Sequence, residues 1–171
     1  MQKGLVIWFT GLSGAGKTTI ATEVEKLLSK QGLRVCMLDG DVLRQGINSD
    51  LGFSDEDRNE NVRRAAEIAK LFCDKEFIVL VSFISPFAAM RERAGQIIGR
   101  HRFIEVYVKA DINVCRERDP KNLYKKNIAQ FTGISSAYEV PKKPDLILDT
   151  QLLSIEESAN LVFEKIRNQY A

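Results

Sequence analysis

The sequence has little cysteine, no long apolar run and no large excess of charge of one sign. Its three cysteines, Cys36, Cys73 and Cys115, form no C-x-x-C pair, so we expect neither a disulfide framework nor a zinc site, and we predict a reducing, cytoplasmic location. The longest apolar stretch, 77–84, is far shorter than the roughly 20 residues of a membrane span. The 25 basic and 23 acidic residues are too balanced for a protein dedicated to binding nucleic acid or a membrane surface.

Length and hydrophobic pattern predict the fold class. The 171 residues, 44% of them hydrophobic, indicate one domain covering 1–171. Short continuous apolar runs predict buried strands at 5–9, 33–38, 77–81, 103–108 and 146–148. Helical patterns lie between them. One ends at Gly32, and others begin at Ser54, at Ser85 as N-cap before Pro86, and at Ser154. This alternation predicts a three-layer α/β sandwich with a five-stranded, mainly parallel sheet.

The segment 116–143 does not fit the core pattern. It holds seven basic residues against three acidic ones and lies before the last predicted strand. Such a basic, proline-containing insertion predicts a lid that closes on an anion. A solvated surface loop is the alternative.

Residues 11–18 read G-L-S-G-A-G-K-T, which matches the phosphate-loop (P-loop) pattern G-x-x-x-x-G-K-[ST] in full, between a predicted strand and a predicted helix. Glycines let consecutive N–H groups converge on phosphate oxygens, and the helix N-terminus adds partial positive charge. A plain glycine-rich turn would explain the glycines but not Lys17 and Thr18. We therefore predict a nucleoside triphosphate with Mg²⁺, Lys17 reaching the β- and γ-phosphates and the Thr18 hydroxyl binding the metal. The predicted nucleotide-binding residues are Gly11, Leu12, Ser13, Gly14, Ala15, Gly16, Lys17, Thr18 and Thr19.

Missing motifs narrow the class of P-loop protein. None of the 11 glycines has an aspartate three residues before it, so the D-x-x-G of switch GTPases is absent. Residues 108–111 lack the asparagine of the guanine-reading N-K-x-D. The predicted strand 77–81 runs into S-F-I-S, whereas ATPase motors need acidic residues there. The GTPase and motor interpretations are therefore disfavoured.

Two carboxylates follow the second predicted strand as Asp39-Gly40-Asp41. Ligands bind at the carboxyl ends of strands in parallel sheets, so both side chains can face an Mg²⁺–phosphate group. We predict that Asp41 accepts the proton of an acceptor hydroxyl and that Asp39 lies near the metal. The alternatives are a turn residue for Asp39 and an N-cap for Asp41.

Further blocks follow in order along the chain. Arg44 comes after the paired carboxylates, then L-G-F-S at 51–54, D-R at 57–58, E-N-V-R-R at 60–64 and S-F-I-S-P at 82–86. The order continues with D-P-K at 119–121, L-Y at 123–124, F-T-G-I at 131–134, Y-E at 138–139 and Pro141. With the P-loop, these blocks resemble the adenylyl-sulfate kinase (APS kinase) family over nearly the whole chain. That family uses ATP to phosphorylate the 3′-hydroxyl of adenosine 5′-phosphosulfate, forming 3′-phosphoadenosine 5′-phosphosulfate (PAPS).

The resemblance implies roles for matching residues. Arg44, Arg58 and Asn61 would bind the phosphosulfate and ribose, for which guanidinium forks are suited. Phe53 and Phe131 would sandwich the adenine. Core packing is the alternative for both phenylalanines, and a solvated helix face is the alternative for Arg58, Arg63 and Arg64. The other implied substrate residues are Asp39, Asp41, Ile84 and Ser85, with Lys121, Leu123 and Tyr124 in the lid.

The catalytic set implied in this way is Asp41, Lys17 and Ser85, with Thr18 and Asp39 at the metal. The family is commonly described with a phosphoserine intermediate at the serine matching Ser85. In-line transfer from ATP requires no such intermediate, and we expect Ser85 to position substrate or to cap a helix. Val42 and Asn122 depart from the asparagine and glycine that are usual in the family.

The function expected from the resemblance is ATP-dependent synthesis of PAPS in sulfate activation and assimilation. The family implies a homodimer and a functional link to ATP sulfurylase. The alternatives are another small-molecule P-loop kinase and a nucleotide-binding regulator without catalysis.

Overall fold

The computed structural model describes residues 2–119, 122, 124 and 132–170, apart from the side chain of residue 170. Its strands are β1 (Leu5–Thr10), β2 (Val35–Asp39), β3 (Ile78–Ser82), β4 (Phe103–Lys109) and β5 (Leu146–Asp149). Its helices are α1 (Lys17–Lys30), α2 (Gly40–Arg44), α3 (Asp55–Asp74), α4 (Ala88–Ile98), α5 (Ile112–Arg118) and α6 (Ile155–Tyr170). A short 3-10 turn, Arg100–Arg102, precedes β4.

The five strands form one sheet in the order β2-β3-β1-β4-β5, and every pair is parallel. Every residue of the central strands β1 and β3 is buried, because helices cover both faces of the sheet. Burial on two faces explains why these strands read as continuous apolar runs rather than as alternating ones. The predicted α/β sandwich with five strands is confirmed.

Successive side chains of β1 point to opposite faces of the sheet and contribute to two hydrophobic cores. Ile7 and Phe9 pack in the core that includes apolar residues of α1 and α6. Val6 and Trp8 pack in the core that includes apolar residues of α3 and α4. The three layers are therefore α1 and α6, the sheet, and α3 and α4.

Two predicted helix starts depend on local capping, and both are confirmed. Ser54 Oγ accepts a hydrogen bond from the Asp57 N–H (3.1 Å) at the start of α3. Ser154 Oγ accepts from the Glu157 N–H (3.1 Å), and the Glu157 carboxylate accepts from the Ser154 N–H (2.8 Å). Each pair satisfies N–H groups that a helix N-terminus leaves without partners.

The predicted start of α4 was wrong. The helix begins at Ala88 rather than Pro86, and Ser85 does not cap it. Instead the Glu139 carboxylate accepts from the Ala88 N–H (2.7 Å), across 51 residues of sequence. Because the capping group comes from a distant segment, rules that consider only neighbouring residues could not locate this helix start.

Helix α5 was not predicted. It has only seven residues, with Asp111 as N-cap, and it includes residues 116–118, which the sequence had assigned to the lid. Among the residues that the structure describes, no helix has the length and apolar character of a membrane span.

Candidate active site

A cavity of about 1160 Å³ opens at the carboxyl ends of the parallel strands. P-loop residues 13–19 line one part of it, and residues of α2, of α3 and of the loop between them line another. Asp39 and Ser82, at the ends of β2 and β3, lie in its wall. This is the edge at which doubly wound sheets bind ligands.

The backbone of the P-loop requires glycine at three positions. Gly11, Gly14 and Gly16 have φ angles of 151°, 81° and 108°. A Cβ at Gly11 would lie 2.4 Å from the Val108 carbonyl oxygen. Positive φ and this close approach of β4 leave room for no side chain at Gly11.

Lys17 is the first residue of α1, and only 8% of its surface is exposed. Its Nζ donates to the carbonyl oxygens of Gly11 (3.0 Å) and Leu12 (2.8 Å). Thus residues 13–19 of the predicted nucleotide set line the cavity, and Gly11 and Leu12 contribute carbonyls that hold the lysine. The first turn of α1 has no acidic residue, so its partial positive charge is not neutralised locally.

Three side-chain oxygens meet where we predicted the metal. Thr18 Oγ1 donates to Asp39 Oδ2 (2.7 Å) and lies 3.0 Å from Ser82 Oγ. Hydroxyl and carboxylate oxygens suit Mg²⁺, which takes few protein ligands and fills its remaining positions with phosphate and water. The described residues contain no cluster of three or more His, Cys, Asp or Glu that could hold a metal without such help.

The two carboxylates after β2 have different local roles. Asp39 is the N-cap of α2, because its Oδ1 accepts from the Asp41 N–H (2.9 Å). The alternative role of Asp41 as N-cap is therefore wrong. Asp41 lies in the first turn of α2, is exposed and lines the cavity.

Arg44 and Phe53 together form another part of the cavity wall. The Arg44 guanidinium donates to the carbonyls of Leu51 (3.1 Å) and Gly52 (2.9 Å) and lies 4.4 Å from the centroid of the Phe53 ring. The Phe53 side chain is 55% exposed. Core packing, the alternative for Phe53, is therefore wrong.

Arg58 is buried beside this wall. The alternative interpretation, that Arg58 lies on a solvated helix face, is therefore also wrong. Its Nε donates to the Phe53 carbonyl (2.9 Å), and its Nη1 donates to the Thr132 hydroxyl. Burial lowers the pKa of Arg58, and burial followed by the nearby Arg58 charge lowers the pKa of Arg44. Two guanidinium groups that repel each other in a partly buried cavity favour an anionic ligand.

The side chains of Arg63 and Arg64 pair with Glu60 at the surface of α3. Asn61 does line the cavity and is 7% exposed. Arg58 and Asn61 are three residues apart and therefore lie on the same face of α3, which is turned to the cavity. The next two arginines, Arg63 and Arg64, lie on the outer face.

Ser85 lies in the cavity wall but is 2% exposed and has a φ of 45°. Its Oγ accepts from Trp8 Nε1 (2.9 Å), and its carbonyl accepts from Arg91 Nη1 (2.7 Å). The carbonyl of the preceding residue, Ile84, accepts from the Thr10 hydroxyl (2.6 Å). This segment is therefore held by groups from β1 and α4.

Arg91 was missed by the sequence analysis. It is 3% exposed and also donates to the Glu105 carboxylate (2.7 Å) and the Glu139 carbonyl (2.8 Å). The available signal was a charged residue on the apolar face of α4, between Met90 and Ala94.

Predictions about the lid can be compared only in part. Lys121, Leu123 and Phe131 lie outside the described residues. Tyr124, which is described, donates its hydroxyl to the Ser13 carbonyl (2.7 Å), and burial raises its pKa. Asn122 has a φ of 52°, a conformation that asparagine tolerates and glycine adopts freely.

The cavity wall also contains residues that were not predicted as site residues, among them Ser82, Arg118 and Thr132. Arg118 donates to the hydroxyl (2.9 Å) and carbonyl (2.8 Å) of Thr150. Its position at the end of α5 had been counted only as part of the basic charge of the lid. Ser82 could have been found from its place at the end of a strand.

The fold and this cavity define a P-loop phosphotransferase, with a phosphate-binding loop beside an arginine- and aromatic-lined compartment. The family model described as adenylylsulphate kinase matches residues 3–149. That match covers most of the sequence. The chain belongs to the adenylyl-sulfate kinase family.

Individual relatives agree with this assignment. The adenylyl-sulfate kinase of Halothermothrix orenii is 52% identical over 172 residues, which cover 98% of this chain and 92% of that protein. That of Geotalea uraniireducens is 48% identical over 174 residues, covering 99% and 84%. The structure of the Mycobacterium tuberculosis APS kinase CysC in complex with AMPPNP and APS superposes with a TM-score of 0.94 at 43% identity, covering 98% of this chain and 99% of that one.

Proposed function

We propose that the protein transfers the γ-phosphoryl group of ATP to the 3′-hydroxyl of adenosine 5′-phosphosulfate, giving PAPS and ADP in sulfate activation. The observation that carries this proposal is the continuity of the cavity. The P-loop, the exposed Asp41 carboxylate and the paired guanidinium groups of Arg44 and Arg58 all line the same space. A kinase needs donor, base and acceptor groups within one such space.

The donor phosphates bind at the P-loop. Backbone N–H groups of residues 13–18 and the N-terminus of α1 attract them, and Lys17 exchanges part of its bonding to the loop carbonyls for phosphate oxygens. Thr18 and Asp39 would hold Mg²⁺, which would supply positive charge beside the transferred phosphoryl group.

The acceptor binds against α2 and α3. Arg44 and Arg58 receive the phosphosulfate anion, because they are positive, partly desolvated and mutually repelling in its absence. Asn61 adds an amide donor. The exposed ring of Phe53 provides one face for adenine. The family resemblance assigns the other face to Phe131, which lies outside the described residues.

Asp41 accepts the proton of the 3′-hydroxyl. As the ribose oxygen bonds to the γ-phosphorus, the bond from that phosphorus to the β–γ bridging oxygen breaks and ADP leaves. The exposure of Asp41 in the cavity supports this role, and the N-cap of α2 is Asp39 rather than Asp41. Ser85 acts as a positioning residue. Its burial and its bond from Trp8 Nε1 support a structural task rather than phosphoryl transfer.

Further assignments belong to the same proposal. We infer one domain over 1–171 with a lid at about 116–143, a homodimer and functional coupling to ATP sulfurylase. Cytoplasmic location is supported by three free cysteines.

Product analysis tests the proposed reaction. Incubation with Mg²⁺, ATP and adenosine 5′-phosphosulfate should give PAPS and ADP in equal amounts, with no ADP from sugar or nucleoside acceptors. ADP formation with another acceptor would indicate a different small-molecule kinase. No acceptor-dependent ADP release at all would indicate a regulator.

Two variants test the assigned roles. We expect Asp41→Ala to lower kcat about 1000-fold, the scale of a lost general base, and to leave KM for ATP nearly unchanged. Ser85→Ala should keep activity within about tenfold of the original protein. The reverse ranking of the two variants would contradict the mechanism.

A further inference from the structure

Asn48 is a fully buried polar residue in the loop between α2 and α3. Its N–H donates to the Leu43 carbonyl (2.8 Å), and its carbonyl accepts from the Leu51 N–H (3.2 Å). Its side-chain Nδ2 donates to Asn61 Oδ1 (2.8 Å). Asn48 Oδ1 has no hydrogen-bond partner among the described residues.

This bond decides which end of the Asn61 amide faces the cavity. An asparagine side chain has an accepting oxygen and a donating nitrogen. The oxygen of Asn61 is turned toward Asn48, so its Nδ2 is the atom left for a ligand in the cavity that Asn61 lines. No described residue accepts a hydrogen bond from that nitrogen.

The polarity matters because the proposed substrate group is an anion. Sulfate and phosphate oxygens accept hydrogen bonds, so an amide nitrogen binds them and an amide oxygen repels them. Arg44 and Arg58 are positive in any orientation. Asn61 can present either a donor or an acceptor, so its contribution depends on a neighbour that holds the amide in one orientation.

We propose that Asn48 is a positioning residue that fixes the Asn61 amide with its N–H donors toward the phosphosulfate. The inference rests on the proposed function, since it assumes that Asn61 binds that anion. The buried Asn48 oxygen without a described partner is a cost of this orientation. Such a cost is expected at a site selected for ligand binding rather than for stability.

A purely structural role for Asn48 predicts different behaviour. The loop is also held by Arg64, which donates to the Ile47 carbonyl (3.0 Å) and the Asp50 carboxylate (2.7 Å). If Asn48 only held this loop, its loss would resemble the loss of Arg64. Arg64→Gln is therefore the matched control.

Asn48→Asp gives the sharpest test. When ionised, the introduced carboxylate has nearly the same shape as the amide but only accepts hydrogen bonds, so it draws Asn61 Nδ2 toward itself and turns the amide oxygen to the cavity. We expect KM for adenosine 5′-phosphosulfate to rise about tenfold or more, as for a lost hydrogen bond to a charged group, with KM for ATP within about twofold. An unchanged KM for the phosphosulfate would overturn the inference.

Asn48→Ala is the second variant if the first does not fold. It releases the amide without inverting it, and we expect a rise of about threefold in the same KM. Arg64→Gln should lower the melting temperature while leaving both KM values within about twofold.

Repeating these substitutions with Asn61→Ala separates the two roles. The effect of Asn48 on KM should disappear when Asn61 has no amide, because the two residues act through one bond. Equal effects with and without Asn61 would show a structural or charge effect and overturn the inference. If Asn61→Ala alone leaves KM for adenosine 5′-phosphosulfate unchanged, Asn61 does not bind the anion and the inference about Asn48 is wrong. Failure of the original protein to form PAPS would instead refute the proposed function itself.

Discussion

The two halves of the cavity are built in different ways. The donor half is the P-loop, residues 11–18, in which backbone groups of consecutive residues surround Lys17. The acceptor half consists of side chains from three separate parts of the chain, with Arg58 joining the Phe53 carbonyl to the Thr132 hydroxyl. A backbone site recognises phosphates that many nucleotides share, whereas a side-chain site can distinguish one acceptor from another.

The two halves should therefore respond differently to mutation. Damage to the donor half requires a change of backbone conformation, which affects the fold as well as nucleotide binding. Damage to the acceptor half removes individual side-chain contacts and leaves the backbone conformation unchanged, so we expect it to affect substrate affinity more than the fold. Three predictions test this contrast.

The largest expected effect is on the donor half. Gly11→Ala forces a side chain into a backbone with φ of 151°, where its Cβ would meet the Val108 carbonyl at 2.4 Å. We expect a loss of about 3 kcal/mol in the free energy of unfolding, measured by urea denaturation, together with a higher KM for ATP. Gly46→Ala is the control, because nothing lies within 4 Å of its Cβ position. Equal stability of both variants would contradict the description of the loop.

A smaller and more selective effect is expected on the acceptor half. Arg58→Lys keeps the charge but loses the guanidinium fork that contacts Phe53 and Thr132 and that we propose binds the anion. KM for adenosine 5′-phosphosulfate should rise roughly 30-fold, equivalent to about 2 kcal/mol, with KM for ATP within about twofold. Arg63→Lys, on the outer face of the same helix, should change neither value. A parallel rise in both KM values would show that the two halves are not separable.

The smallest effect concerns the surface beside the acceptor half. Hydrogen bonds from Arg63, and next from Arg64, lower the pKa of Glu60 to about 2 from an ordinary value of 4.5. Because the folded pKa is below the unfolded one, the ionised carboxylate stabilises the fold above about pH 4.5, and this contribution is lost as the pH falls toward 2. Glu60→Gln should cost roughly 0.5 kcal/mol at pH 7, as for exposed pairs.

Thermal unfolding across that pH range checks the sign. The difference in melting temperature between Glu60→Gln and the original protein should narrow below about pH 4.5. A difference that widens in acid would mean that the Glu60 carboxylate is not stabilised by its arginine neighbours. KM for the phosphosulfate should not change in this variant at neutral pH.

Sequence-based prediction succeeded where the interacting residues are close in sequence and failed where they are far apart. All five strands lie within about two residues of their predicted bounds, since burial on two faces leaves a continuous apolar run. The capped starts of α3 and α6 were also correct because serine and its partner are three residues apart. The predicted start of α4 was wrong because the group that accepts from its first N–H belongs to Glu139, 51 residues further along the chain.

The site residues also differ in whether neighbouring sequence or distant contacts define their roles. The P-loop could be assigned in full, since its glycines, lysine and threonine act within eight consecutive positions. The resemblance supplied Arg44, Arg58 and Phe53, but the pattern of residues alone left core packing or solvent exposure open for Phe53 and Arg58. The roles of Arg91 and Asn48 were missed because each depends on contacts with other elements.

By itself the sequence determined the five strands, the starts of α3 and α6, the phosphate loop and the carboxylates that follow β2, because periodicity, glycine conformation and capping act between near neighbours. Only the tertiary structure decided that Phe53 is exposed beside Arg44, that Asp39 rather than Asp41 caps α2, and that the Ser85 hydroxyl accepts a hydrogen bond from Trp8. Those outcomes depend on which distant groups meet when the sheet and helices pack, and packing selects among local conformations whose own energies are nearly equal.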